Sequence, residues 1–146
     1  MTQLKKRQRK MGLDNGIQLK LASKKVPEDF PDKGSLDKWD FDNLEKEGEL
    51  EVAYWRKCWG IREMIIGVLH AGQDGGEYPV EAEDLPAIRR GLVKFLNPKT
   101  WEEEADSIWE YEEMYETLLQ QLLNLKWLEK YLKDHPEDSV SFYDSY

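Results

Sequence analysis

Apolar and polar residues alternate from Ile17 to Ala22, with Ile17, Leu19 and Leu21 on one face and Gln18 and Lys20 on the other. Period-two alternation predicts a half-buried strand. Ahead of it, Asp14-Asn15-Gly16 favours a tight turn, since Gly and Asn tolerate positive φ. A second alternation from Glu49 to Lys57 sets Leu50, Val52, Tyr54 and Arg56 against Glu51, Ala53, Trp55 and Lys57, so neither face is wholly polar. The third, Ser139 to Tyr146, sets Val140, Phe142 and Asp144 against Ser141, Tyr143 and Ser145.

Elsewhere the spacing changes to three and four. Ile61, Ile65, Val68 and Leu69 predict a helix from about Trp59 to Ala71, stopped by Gly72. Gln73 to Glu77 then reads as a loop. A second helix opens with Val80 stapled onto Leu85 and with Glu83 and Asp84 at the positive end of the dipole. It turns Ile88, Leu92 and Phe95 inward and ends by Asn97-Pro98. Thr100 is then the expected N-cap of a third helix, Trp101 to Lys133, with Glu103 completing a capping box.

Straight, that helix would span about 50 Å, against a radius of gyration of about 15 Å for a compact chain of this length. A bend near Leu123 to Leu125, or a protruding helix, is therefore expected. Residues 23–48, rich in Pro, Asp, Lys and Gly, read as a long surface excursion tied down by Trp39 and Phe41. The resulting expectation is an α+β fold in which a sheet of about three short strands packs against three helices, the last long and acidic. It forms a single domain over 12–146 behind a flexible basic extension at 1–11.

Charge sharpens this picture. Residues 1–25 carry eight Lys or Arg and one acidic residue, a net +7, whereas residues 26–146 hold 13 cations and 29 anions, a net −16. Such a body repels phosphate backbones and attracts basic partners. From Trp101 to Glu116 there are eight acidic residues and no basic one. With 35% charged residues against an average of about 25%, a thin core is expected, with the six tryptophans supplying much of it. The lone Cys58 excludes an internal disulfide and points to the cytoplasm, and no apolar run is long enough for a membrane span.

Little catalytic chemistry is visible. His70 and His135 lack ligand-spaced partners, so neither a metal nor a cofactor is expected. No Gly-rich turn is placed to cradle phosphate. Cys58 lies near Arg56, Lys57 and Arg62, which would lower its pKa if the thiol were exposed; burial as a small hydrophobe is the commoner fate.

The stretch Tyr54-Trp-Arg-Lys-Cys-Trp-Gly-Ile-Arg62 carries the main ambiguity. In one reading Tyr54, Trp55, Arg56, Lys57 and Arg62, beside Asp14 and Asn15, bind a small ligand or nucleotide by stacking and charge. In the other, the tryptophans pin strand to helix and the cations pair with the acidic half of the third helix.

Together with Met11-Gly-Leu-Asp-Asn-Gly-Ile17 and Phe142-Tyr-Asp-Ser-Tyr146, that stretch resembles a group of small proteins of bacteriophages, prophages and gut Firmicutes with no established activity. The similarity covers about a quarter of the chain. It implies a phage or mobile-element accessory protein in the bacterial cytoplasm, starting at Met11 in its relatives. The function expected first is a non-enzymatic module whose Glu103, Glu104, Glu110 and Glu113 engage a basic protein surface, with the small-ligand site as the alternative.

Overall fold

The computed structural model describes residues 13–145, so the expectation for residues 1–11 falls outside it. Four strands, β1 (Asp14–Lys20), β2 (Glu49–Arg56), β3 (Gly76–Val80) and β4 (Ser139–Ser145), form one antiparallel sheet in the order β2-β1-β4-β3. Five helices accompany it: α1 (Lys38–Glu47), α2 (Trp59–Leu69), α3 (Asp84–Lys94), α4 (Pro98–Glu104) and α5 (Tyr111–Asp134). The α+β class is as expected, with one more strand and two more helices.

The additional strand is β3, in the segment read as loop and helix entry. Pro79 has no N–H for a ladder and lowers strand propensity, but β3 is an edge strand, where that donor is dispensable. The buried face of the sheet carries Asn15, Ile17 and Leu19 of β1, opposite Trp55, Ala53 and Leu50 of β2 and Asp144, Phe142 and Val140 of β4. Between Ile17 and Gln18 the register jumps from Ala53 to Glu51, leaving Val52 as the extra residue of a bulge. The bulge explains the mixed alternation of β2, because it puts Leu50, Ala53 and Trp55 on one face and Glu51 and Tyr54 on the other.

The excursion at 23–48 contains α1, opened by a capping box in which Asp37 and Asp40 exchange backbone hydrogen bonds. Trp39 and Phe41 do not tie it down: they are 60% and 51% exposed. Phe30 does, buried edge-to-face against Trp127 of α5 with ring centroids 5.1 Å apart.

The expected third helix is two. Asn97, not Thr100, caps α4, its Oδ1 accepting from the Lys99 and Thr100 N–H groups, with Pro98 at the first helical position. The break falls at 105–110 instead of near Leu123, because this elbow is fastened to the junction between β2 and α2. Gly60 N–H donates to Ala105 O at 2.7 Å, and Trp109 Nε1 donates to Arg56 O at 2.9 Å. A Cβ on Gly60 would lie 2.0 Å from Glu104 O, so only glycine permits this approach. After the elbow a second capping box, Glu110 with Glu113, opens α5.

α5 packs its buried stripe, including Met114, Leu118, Leu125 and Leu128, against α3 and β2. Asn124 and Gln121 donate to Val52 O and Tyr54 O at 3.0 Å each, satisfying edge carbonyls of β2. No helix among the described residues is long and apolar enough to cross a membrane.

Candidate functional site

The junction of β2 and α2 is divided by the sheet. Trp55 is buried, with Nε1 donating to Gln121 Oε1 at 2.8 Å. Arg62 is only 2% exposed and grips Asp144 of β4 bidentately, through Nε at 2.8 Å and Nη2 at 2.9 Å. Its Nη1 donates to Glu63 and Gln73, and Asn15 Nδ2 donates to the same Asp144 Oδ1 at 2.7 Å. This network joins β1, β4 and α2 through a buried, multiply hydrogen-bonded charge pair. The expected pairing of Arg62 with the acidic half of the third helix is replaced by Asp144.

Cys58 is buried, its Sγ 3.2 Å from Ser107 Oγ, and burial pushes the thiol up to about 11. It is therefore a protonated core residue at neutral pH. Arg56 is exposed and Lys57 half-buried at φ 55°, and neither lies beside Arg62 in a common pocket. Of the expected ligand-binding group, Asn15, Trp55 and Arg62 serve the interior, whereas Asp14, Tyr54 and Arg56 face the opposite side of the sheet.

That outer face holds a different constellation. Tyr54 donates its hydroxyl to Asp14, and Tyr143 donates to Glu51. The Tyr143 ring rests on Gly16, where a Cβ would come within 2.5 Å of ring carbon Cε1. Beside them a cleft of about 320 Å³ opens between α5 and the edge of β2. Asp32, Asp40, Glu51 and Tyr54 line one side, and Thr117, Gln120, Gln121 and Asn124 of α5 the other.

Burial pushes the Glu51 carboxyl up to about 7; the Tyr143 hydroxyl opposes this, and the charges of Asp40 and Asp14 add to it. Burial also raises Asp40, with Asp37 and Asp32 contributing charge, and it raises the Tyr54 hydroxyl to about 12, assisted by Asp14. None of Asp32, Asp40 and Glu51 forms an ion pair among the described residues. Charge repulsion and desolvation thus accumulate in one concavity.

Glu103 and Glu104 are exposed on α4, and Glu110 and Glu113 are exposed at the start of α5, where they also cap it. These four, with Glu102, Glu112 and Glu116, have no ion pair among the described residues. Glu113 stands one turn before Thr117, so the acidic start of α5 runs into the helix face that walls the cleft. Asp32, Asp40, Glu51 and Tyr143 were missed by sequence reasoning. One signal was present: Glu51 sits between Leu50 and Val52, a carboxylate inside an apolar run.

Two further clefts lie elsewhere, one of about 430 Å³ beside Trp59, Met64 and Phe95, the other of about 470 Å³ beside Pro27, Tyr131 and His135. Among the described residues no group of three or more His, Cys, Asp or Glu is placed to hold a metal ion. Comparison of the chain with family models, curated proteins and solved structures finds no match.

Proposed function

We infer that this protein is a non-enzymatic acidic binding module that engages a basic protein surface. The observation that carries the reading is the cleft lined by Asp32, Asp40 and Glu51, none of which forms an ion pair among the described residues. A partner's Lys or Arg side chain seated there relieves the repulsion, gains charge-assisted hydrogen bonds and lies against Tyr54. Glu103, Glu104, Glu110 and Glu113 extend the negative field and steer the encounter. In this reading, which takes up the resemblance to phage and prophage proteins, the chain acts as a phage or mobile-element accessory protein and its partner is a basic protein of the bacterial cytoplasm.

Glu51, raised to about 7, releases its proton when a cation arrives, so binding strengthens as pH rises from about 6 to about 8. The test is calorimetric titration with an Arg- and Lys-rich peptide in buffers of different ionisation enthalpy. Glu51→Gln is expected to weaken binding about tenfold and abolish proton release. Glutamine at 103, 104, 110 and 113 is expected to weaken binding and flatten its salt dependence while preserving the α5 cap, since an amide oxygen accepts the same backbone bonds. Equal affinity of the wild type for that peptide and for a charge-neutral analogue would sink the reading.

A further inference from the structure

One stripe of α5 faces outward along the length of the helix. Glu112, Glu116, Leu119, Leu123, Lys126 and Lys130 are all exposed. Their separations of four, three, four, three and four residues trace the straight seam of a helix–helix contact. Leu123 is 57% exposed and Leu119 38%, with Tyr115 at 39% beside them. None of the four charged members forms an ion pair among the described residues. The stripe therefore has an apolar centre, an acidic N-terminal end and a basic C-terminal end.

We propose that this seam pairs with the same seam of a second copy of the chain, α5 against α5, antiparallel about a two-fold axis passing near residue 121. The positions are symmetric about that residue. An antiparallel register that sets Leu119 against Leu123 of the partner subunit also sets Glu116 against Lys126 of the partner subunit, and Glu112 against Lys130 of the partner subunit. The two-fold repeats every contact. A parallel pair would place acid on acid and lysine on lysine, so charge selects the antiparallel arrangement. The apolar layer is short, making a reversible dimer sensitive to salt. The seam uses no residue that lines the cleft beside β2, so the dimer stands or falls separately from partner binding.

Sedimentation velocity of the full chain at low salt, from about 5 µM to about 500 µM, is expected to show a monomer giving way to a dimer. Glu116→Lys sets lysine against Lys126 of the partner subunit, and Lys126→Glu sets acid against Glu116 of the partner subunit. Each single reversal is expected to weaken dimerisation about tenfold or more, and the double reversal to restore it. Circular dichroism of each variant controls for folding, which these exposed positions leave intact. A wild type that stays monomeric throughout, or a dimer indifferent to both single reversals, overturns the proposal.

Discussion

Glu51 reports on its surroundings more directly than any other side chain. Its carboxyl titrates near 7 in the folded protein because burial withholds water from the ionised form, and at an ordinary 4.5 once unfolded. Between those values the folded state holds a proton that the unfolded state has lost. Stability contributed by this group is therefore lost as pH rises through that window and is constant beyond either end. Urea unfolding at pH 5 and pH 8 should show Glu51→Gln free of this loss, and more stable than the wild type at pH 8 by about 1–2 kcal/mol after allowance for solvent screening. Parallel pH profiles for the two proteins would refute this account. Glu51 could be suspected from its apolar neighbours, but its partners could not, since Tyr143 lies 92 positions away. The same holds for Arg62 and Asp144, 82 positions apart. A polar residue in an apolar stripe is legible; the residue that satisfies it is fixed by strand order.

Among the elements, the clearest lesson concerns where helices start. The segment Asn97-Pro-Lys-Thr-Trp-Glu-Glu103 contains two capping signals three residues apart, and local pattern alone favoured the Thr100–Glu103 box. Asn97 prevails because Pro98 supplies a preset φ and lacks the N–H that would otherwise need a partner. Asn97→Ala should therefore cost about 1 kcal/mol, and Thr100→Ala only a few tenths, in chemical denaturation. A larger loss at Thr100 would reassign the cap. β4, α2 and the Ile17–Lys20 half of β1 were legible from their apolar spacing, whereas Asp14-Asn15-Gly16, expected as a turn, is strand and pairs with Arg56, Trp55 and Tyr54 of β2. β2 changes faces at its bulge, and β3 is five residues long and contains a proline, so neither presents a clean period. The elbow was illegible for another reason: it depends on Gly60 admitting the backbone of Glu104 and Ala105, a contact between segments distant in sequence.

At the scale of the whole molecule, charge governs behaviour. Residues 13–145 carry 30 Asp and Glu against 16 Lys and Arg. Lys20, Arg62 and Arg89 form ion pairs with Glu49, Glu77, Glu63, Asp144 and Glu129, and over the described residues anions still outnumber cations by nearly two to one. Like charges held closer together in the folded protein than in the extended chain oppose compaction, and added salt screens that repulsion beyond a Debye length of about 8–10 Å. The melting midpoint should rise by about 2–5 °C as sodium chloride goes from about 20 mM to about 300 mM. Scanning calorimetry at high dilution keeps self-association out of the comparison. The Gln variant at Glu103, Glu104, Glu110 and Glu113 should melt higher than the wild type at low salt and gain less from added salt, because part of the repulsion is gone. A wild-type midpoint that stays level or falls with salt would mean that the acidic surface is balanced internally, and would remove the driving force assigned to it for capturing a basic partner.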